Sequence, residues 1–580
     1  MTSSERPVVT AGHVATISVG VTGHRPHRLK GVDQVALSER VRAVMATFAQ
    51  AVGSGHDMRL VSNLAEGADT IAFDQAAVLG WTLDVVLPFD PARYGEDFAA
   101  PGALAGLRER LGRARAVFAL DGDGDDEELA AAAYERAGRV MLAQSDVLLA
   151  IWDGRPARGR GGAAQIVAEA VTRGVPVIHV DVSADAAPEL LWDRLDEHDL
   201  GQQTLDTVPR GGLDQLPRLL RHLLGHEADS VLPPAGDRPR PTFAVAYAAL
   251  LMVTGVRRMR RSDWWRPHAD SGPGIPLGSG WARGFTTAAA DLLVTRFRQA
   301  DASATDAGRR FRSAYVGNFA FAALAVTVSL LGLVLPTALK PVLVVWELAI
   351  IASILIITRL GNRSGWHRRW LGCRRVAEQL RCLAISAQLG DLRLHSNLHP
   401  ATQALARRLG VPAVVIDPPY LACVQADLMR LLDEQVDYLC TDALRMHQLE
   451  HRLHRAGAWL FGTTAAICLL FLVIEMAAIA RPELHHFIAP ALAWGTVCSA
   501  ALPAVGAAIY GIRMQGDFAG TAERNEVLAA QLGRVRAISG DPMTSYDVLH
   551  RRVNQVADLL TQDLSSWFQS SSARPLALPG

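Results

Sequence analysis

The sequence predicts two structural classes in one chain of 580 residues. These are an α/β doubly wound parallel sheet at the N-terminus and an all-α membrane domain with four transmembrane helices in two hairpins. The sheet follows from alternating strand-like and helix-like segments between residues 14 and 181, an order typical of βαβ units. The membrane domain follows from four apolar windows between residues 313 and 512. A spanning helix needs about 20 apolar residues, and soluble helices rarely hold more than about 14 in one run.

Composition excludes some functional classes. The 58 basic and 58 acidic residues cancel, so the chain lacks the basic surplus of a protein that binds nucleic acid. The mean hydropathy of +0.15 is high for a water-soluble protein. The six cysteines form no Cys-x-x-Cys pair, so we expect free thiols, without a disulfide framework or a metal site. No cofactor is expected.

The N-terminal segments predict which loops form a site. Ligands of doubly wound sheets bind beyond the carboxyl ends of the strands. Residues 1–15 lack the apolar stretch of a secretory signal, so this domain is expected in the cytoplasm. The predicted strands are 14–21, 59–62, 83–87, 147–152 and 175–180, and the predicted helices are 35–52, 70–79 and 163–173.

Three of the predicted strand ends combine glycine with polar side chains. Glycine lets a backbone approach a phosphate closely, and a helix N-terminus behind it offers unpaired N–H groups. Each loop alone also fits a tight turn, a helix cap or a solvated charge run. Together on one sheet edge they predict a site for a phosphate-bearing ligand. The candidate ligand-binding residues are Gly20, Thr22, Gly23, His24 and Arg25, then Glu66, Gly67 and Asp69, and then Asp153, Gly154, Gly161 and Gly162.

The four apolar windows form two pairs with short connections, so each pair is expected to cross the membrane and return. Arginines such as Arg309, Arg312 and Arg368 flank the pairs, whereas the connections hold only Lys340 and Arg481. The positive-inside rule therefore places both termini in the cytoplasm of a multi-pass protein of the inner (plasma) membrane. The predicted transmembrane helices are about 314–336, 341–358, 456–480 and 487–512.

The chain is predicted to divide at the proline-rich linker 232–241. The N-terminal domain is then 1–231. The two membrane modules are 242–440 and 441–580.

The two membrane modules share short stretches of sequence. Similar segments, Ala377–Ser386 and Ala530–Ser539, follow the two predicted hairpins and indicate an internal duplication. A shorter apolar run, 243–256, precedes the first hairpin. It fits either an interfacial helix or a core helix.

Five short segments of the N-terminal domain form a recognisable set: Gly23-His24-Arg25, Leu64–Asp69, Leu87-Pro88-Phe89, Ser145-Asp146 and Gly161-Gly162. As a set they resemble the SLOG superfamily, a Rossmann-like group of nucleotide-related enzymes and ligand-binding domains. That resemblance implies a nucleotide-derived small-molecule ligand. The remaining residues resemble SLATT effectors, modules of cytoplasmic helices and two transmembrane helices from bacterial conflict and antiviral defence systems. This implies a homo-oligomer that forms a pore or disrupts the lipid bilayer when a signal arrives.

The resemblance also bears on catalysis. The phosphoribohydrolase branch of SLOG carries Pro-Gly-Gly-x-Gly-Thr-x-x-Glu, in which the glutamate is catalytic. Laid on Gly161-Gly162, that pattern places Ala168 at the glutamate position, and Glu169 lies about 100° round the helix. A sensor is therefore favoured over an enzyme. The alternatives are a membrane-anchored nucleotide or nucleoside-phosphate hydrolase that uses Glu66 or Asp69, and a scaffold that recruits partners through residues 366–439.

Two carboxylates, Glu347 and Glu475, lie inside predicted transmembrane helices. A carboxylate within a bilayer costs several kcal/mol unless it is hydrated or paired. Either both side chains reach the outer interface, or they line an oligomeric pore that conducts cations.

Overall fold

The structure is a computed structural model of the chain. It describes residues 15–98, 102–124, 126–156, 159–183, 186–193, 203–224, 242–265, 267, 275, 277–395, 397–480, 485–541, 545–572 and 576–579. The predicted linker 232–241 and the connection 481–484 of the second predicted hairpin lie outside these residues.

A mixed sheet, mainly parallel, forms the N-terminal part. Its body is six parallel strands in the order β6-β5-β1-β2-β3-β4. After β4 the chain returns to the other side of β1, so the crevice that binds ligands in such folds lies between β1 and β5. The α/β prediction is thus confirmed. The six strands are β1 (Ala15–Gly23), β2 (His56–Ser62), β3 (Thr82–Leu87), β4 (Ala116–Ala119), β5 (Val147–Trp152) and β6 (Val177–Asp181).

Three short strands extend the two edges of the sheet. At one edge, β7 (Glu189–Leu191) and β8 (Arg210–Gly211) pair antiparallel to β6 and to each other. At the other edge, β9 (Val414–Val415) comes from the C-terminal half of the chain and pairs in parallel with β4. Because an open edge invites pairing with another chain, β9 both protects the sheet and ties the two halves of the protein together.

Helices cover both faces of the sheet, as expected for a doubly wound fold. One face packs against α1, α2, α4 and α7. The other packs against α5 and α6 and shares its core with helices from the C-terminal half, through Leu421, Leu428 and Leu549 for example. The sheet therefore buries apolar surface against residues far beyond position 231. The helices are α1 (Gln34–Val52), α2 (Ala68–Val78), α3 (Pro91–Gly95), α4 (Ala103–Arg113), α5 (Glu127–Ala143), α6 (Ala163–Thr172) and α7 (Leu216–Leu224).

The C-terminal half is helical. Four helices are long and apolar enough to cross a membrane, and each overlaps one of the four predicted spans. The first span was predicted to reach 336, whereas its helix ends at Leu331. α10 packs against α11, and α14 packs against α15. Large apolar side chains such as Trp346 and Leu472 are exposed on these helices, as expected where lipid replaces water. The helices are α8 (Ala246–Val253), α9 (Ser279–Gly284), α10 (Thr287–Leu331), α11 (Lys340–Arg363), α12 (Trp366–Ser386), α13 (Pro400–Leu409), α14 (Pro418–Ala480), α15 (His485–Gly516), α16 (Phe518–Ile538) and α17 (Tyr546–Ser572).

The two helical modules share a local design that supports the predicted duplication. α12 and α16 each have 21 residues, and each begins after a residue with left-handed backbone, Gly365 or Asp517. Their buried positions also correspond at a constant offset of 152 residues. The matched positions are Cys373, Val376, Ala377, Leu380 and Leu383 in α12, and Asn525, Leu528, Ala529, Leu532 and Val535 in α16.

The apolar run 243–256 forms α8 and the turn after it. Tyr247 and Leu251 are buried in one cluster with Phe311 and Tyr315 of α10. The other face of α8 leaves large apolar side chains exposed, Val253 among them. The run thus combines a core face with an exposed apolar face, and α10 begins its apolar segment beside it.

Candidate functional site

A pocket lies at the carboxyl ends of the sheet strands, next to the crevice between β1 and β5. Its volume is about 270 Å³, close to the lower end of the range of about 300–1,000 Å³ for small-molecule sites. The loops after β1 and β2, the turn around α3 and helix α5 form its walls. The lining residues are Arg25, Pro26, His27, Ala65, Glu66, Tyr94, Asp97, Phe98 and Tyr134.

His24 and Asp153 join the ends of β1 and β5 beside this pocket. The Asp153 backbone N–H donates to His24 Nε2 at 3.1 Å, and Arg28 donates to the Asp153 carboxylate at 2.8 Å. Burial lowers the pKa of His24, although Asp153 partly opposes this. The same Nε2 also lies 3.0 Å from the Asp153 carboxylate, so this nitrogen contacts both the backbone and the side chain of Asp153. Both residues therefore hold the two strand ends together.

Two glycines allow the loops after β1 and β2 to pack against each other. Gly67 has φ +103°, and a Cβ there would overlap the carbonyl oxygen of His24. A Cβ at Gly23 would overlap Ala68 and the Ile151 carbonyl. These positions thus shape the site through the backbone, as close approach between loops requires.

Arg25 is the exposed arginine of the pocket. Its guanidinium lies 4.5 Å from the centre of the Tyr134 ring. The pKa of Arg25 is raised above its ordinary value. Burial acts in the opposite direction, but the interactions with Tyr134 and with the nearby Asp97 carboxylate outweigh it. Tyr134 in turn donates its hydroxyl to Asp97. A cation beside an aromatic ring suits a phosphate attached to a planar group.

Asp69 lies behind the pocket in the first turn of α2 and is 5% exposed. Burial raises the pKa of its carboxyl from the usual 3.8 to about 7, against the opposing effects of the Ala65 and Asn63 backbone and of Arg25. Glu66, which lines the pocket, is half-buried. A buried acid that titrates near neutral pH directly behind a cleft is a candidate functional group.

The third predicted loop, with Gly161 and Gly162, lies beside the same helix α5, but some of its hydrogen-bond donors already have partners within the protein. Gly161 has φ +76°, and its Cβ position lies 3.0 Å from the backbone of α5. Its N–H donates to Gln165 at 2.8 Å, and Gln165 donates to the buried Glu135 at 2.9 Å. Gly162 is the N-cap of α6 and has open space around it. Any anion at this helix end must therefore share the space with the Glu135 carboxylate.

Several predicted residues lie away from the pocket. A Cβ at Gly20 would overlap Met141 and Ser145, so this glycine has a packing role between β1 and α5. Thr22 lies within β1, opposite Ala150. Gly154 has φ +70° and open surroundings. These three residues do not line the cavity. Of the twelve predicted residues, Arg25 and Glu66 line it, and Gly23, His24, Gly67, Asp69, Asp153, Gly161 and Gly162 lie around it.

The glutamate considered for phosphoribohydrolase chemistry is occupied elsewhere. The Glu169 carboxylate pairs with Arg139 at 2.9 Å and also with Arg173, on the outer side of α5 and α6. The two membrane carboxylates are on separate helices. Glu347 is half-buried on α11, and Glu475 is exposed on α14.

Sequence reasoning missed the aromatic wall of the pocket. Tyr94 and Phe98 follow β3, where only the Leu87-Pro88-Phe89 segment had drawn attention, and Tyr134 lies within an alanine-rich helix. Arg28, which fixes Asp153, was also missed. An aromatic residue shortly after a buried strand was the available signal for Tyr94, but nothing in the sequence indicated that Tyr134 faces it.

The pocket therefore offers one exposed arginine, two lining carboxylates and three aromatic rings around a buried acid of raised pKa. Arginine binds phosphate, carboxylates accept hydrogen bonds from hydroxyl and amino groups, and aromatic rings stack on planar bases. Such a set could bind a molecule that has both a phosphate and a nucleoside part. A comparison of the chain with known protein families, curated proteins and solved structures finds no match.

Proposed function

We propose that this chain is a membrane effector whose sheet pocket senses a nucleotide-derived, phosphate-bearing molecule. The observation that carries the proposal is the placement of Arg25 between aromatic and acidic side chains, at the carboxyl ends of the strands and next to the switch point of the sheet. Ligands of doubly wound folds bind at that point. The four apolar helices supply the responding part.

The C-terminal helix α17 provides a route from the pocket to the membrane helices. Arg136, two residues after Tyr134 on α5, pairs with Asp547 of α17 at 2.8 Å. The backbone N–H of Tyr546 donates to Asp121 at 3.1 Å, which also pairs with Arg136. With 27 residues, α17 is about 40 Å long at about 1.5 Å per residue. It packs along α12 and α16, so a shift of α5 would reach both modules.

In this proposal, ligand binding makes the membrane permeable to ions. Two hairpins with both termini in the cytoplasm assemble as a homo-oligomer, and Glu347 and Glu475 face the conducting path. The resemblance to SLATT modules and the distribution of arginines support this arrangement. Glutamine at both positions is then expected to change cation preference in liposome flux without loss of assembly, whereas unchanged preference would place both carboxylates at the outer interface.

Ligand binding is tested on the full chain, because the sheet shares its core with residues near 421 and 549. Purified protein is screened with nucleotides for thermal stabilisation, and a ligand at 100 times its Kd adds about 2.7 kcal/mol. Arg25→Gln removes a charge-assisted hydrogen bond of about 1.5–3 kcal/mol. The control Arg42→Gln removes the same charge from the exposed face of α1. Equal affinity of the two variants contradicts the assigned site.

A membrane-anchored hydrolase that uses Glu66 or Asp69 is the second candidate. The position of the two acids favours it, because Glu66 lines the pocket and Asp69, whose pKa burial raises to about 7, lies directly behind it. An acid with a pKa near 7 can exchange a proton with a leaving group at neutral pH. Incubation of the full chain with the nucleotide that stabilises it, followed by product analysis, separates the two functions. Turnover that disappears in Asp69→Asn identifies a hydrolase, and binding without turnover identifies a sensor.

A further inference from the structure

A second and larger cavity lies between the two helical modules, away from the sheet pocket. Its volume is about 610 Å³, and side chains from α8, α10, α12, α14, α16 and α17 line it. This size is within the range of small-molecule sites. The charged lining is rich in arginine: Arg257, Arg260, Arg309, Arg312, Arg374, Arg445 and Arg524.

Some of these arginines already have acidic partners. Arg257 pairs with Asp263 at 2.9 Å, and Arg374 pairs with Glu378 at 2.6 Å. Arg524 lies 3.5 Å from Asp563. Most carboxylates that line the cavity therefore pair with these arginines. A further one, Asp442, accepts a hydrogen bond from Asn525 at 3.0 Å.

Arg309 and Arg312, one turn apart on α10, differ from the paired arginines. Across the part of the chain that the structure describes, neither forms an ion pair with a carboxylate. Arg309 donates through one nitrogen, Nη1, to the carbonyl oxygens of Ser262 at 3.1 Å and Trp265 at 3.3 Å. Arg312 lies over the rings of Tyr247 and Trp370, at 5.3 and 5.1 Å from their centres. Both guanidinium groups therefore keep donors for an anion.

The cavity lies where α10 enters its apolar segment. That segment begins at Ser313, directly after Arg312. Beside it, Trp264 and Trp265 are about half exposed, and Val253 of α8 is 80% exposed. Tryptophan and exposed apolar residues at the end of a spanning segment are typical of the headgroup region of a bilayer.

We infer that this cavity is a second binding site, which takes a phosphate-bearing anion at the cytoplasmic surface of the membrane. Arg309 and Arg312 bind the phosphate, and Tyr247 and Trp370 enclose them. The phosphate belongs either to the headgroup of an anionic lipid or to a soluble phosphate compound. The inference is independent of the sheet pocket, since none of the pocket residues lines this cavity.

The test uses the full chain and the fluorescence of its tryptophans, two of which, Trp370 and Trp567, line the cavity. The protein is reconstituted in nanodiscs of phosphatidylcholine alone or with one part in five of phosphatidylglycerol. In a second arm, protein in phosphatidylcholine nanodiscs is titrated with inorganic pyrophosphate. Fluorescence change and the midpoint of thermal unfolding report binding in both arms.

Arg312→Gln is expected to lower the affinity for the probe that the wild-type protein binds about tenfold or more. This is the loss expected for one charge-assisted hydrogen bond. Arg309→Gln is the second variant and covers the case in which Arg312→Gln does not fold. The control Arg368→Gln removes the same charge from an exposed position in the first turn of α12.

Each result supports or overturns the site. A response to phosphatidylglycerol that is lost in the cavity variants but kept in Arg368→Gln identifies a lipid headgroup. The same pattern with pyrophosphate identifies a soluble phosphate compound. No response to either probe, or equal responses in the cavity variants and the control, overturns the inference.

Discussion

The two ends of the central sheet differ in how their charges are satisfied. At the amino end, Arg407 of α13 and Asp146 before β5 are 1% and 2% exposed and pair at 2.8 Å. Asp146 also accepts the Ser18 N–H at 3.0 Å. At the carboxyl end, Arg25 is exposed to an open pocket, and the buried Asp69 forms no ion pair among the described residues.

This difference indicates that the two ends of the sheet have different roles, one structural and one in ligand binding. A buried ion pair is costly to break, so it fixes the position of α13 against the sheet. An exposed cation and a buried acid without a cation can change partners when a ligand arrives. The amino end therefore anchors the C-terminal half to the sheet, and the carboxyl end is free to respond.

The largest effect is expected from breaking the anchor. Arg407→Ala leaves the Asp146 carboxylate buried without its partner, which costs about 3–5 kcal/mol. The free energy of unfolding is measured on the full chain in detergent. The neighbouring Arg408 is exposed, so Arg408→Ala is a matched control with little expected change. Equal loss in both variants would show that the buried pair is not an anchor.

Long, regular features of the fold could be predicted from the sequence. The strand Val147–Trp152 was predicted with the bounds that the structure gives it, and each of the four apolar windows overlaps a helix of membrane-spanning length. Features that depend on distant partners could not. The two-residue β9 has no strand pattern of its own and forms only against β4. Arg407 next to Arg408 reads as a solvated charge run until Asp146 is placed beside it.

The loop residues of the candidate site could be predicted from the sequence, but the aromatic residues that line the pocket could not. Arg25 and Glu66 line the pocket, and Asp69 lies behind it, because all follow the ends of parallel strands. Gly20 was included since a glycine near a strand end resembles a phosphate loop, but its neighbours are the side chains of Met141 in α5 and Ser145 after it. Tyr134 is separated from Arg25 by more than a hundred residues, and only the packing of α5 brings them together.

The second effect concerns pH and the carboxyl end. Between pH about 4 and 7 the folded chain keeps a proton on Asp69 that the unfolded chain releases. The contribution of Asp69 to stability therefore falls by about 1.4 kcal/mol per pH unit in this window and is constant above it. Relative to wild type, Asp69→Asn should gain stability from pH 5 to pH 8. The exposed Asp57 provides the control Asp57→Asn, and parallel curves for all three proteins would exclude a raised pKa.

The third effect locates the phosphate within the carboxyl end. Gly162 is an N-cap with extended backbone and open space, so aspartate and asparagine both suit the fold there. Gly162→Asp adds a negative charge at the start of α6, and Gly162→Asn adds the same bulk without charge. If a phosphate binds this helix end, the aspartate variant should bind the stabilising nucleotide about tenfold more weakly, a difference of about 1.4 kcal/mol. Equal affinity of both variants would place the phosphate on the Arg25 side of the pocket.

The smallest change in stability is expected for Asp547→Ala, a variant that should uncouple the sheet pocket from the membrane helices. The Asp547 side chain is 49% exposed in its pair with Arg136, so Asp547→Ala should cost at most about 1 kcal/mol. Nucleotide binding should be unchanged, because Asp547 does not line the pocket. Ligand-induced leakage from liposomes should nevertheless fall, since the variant removes the ion pair between α5 and α17. Arg551→Ala, one turn further along α17 and exposed, controls for a general effect of truncation on this helix. If leakage stays coupled to the nucleotide in Asp547→Ala, binding must reach the membrane helices through the shared core or β9.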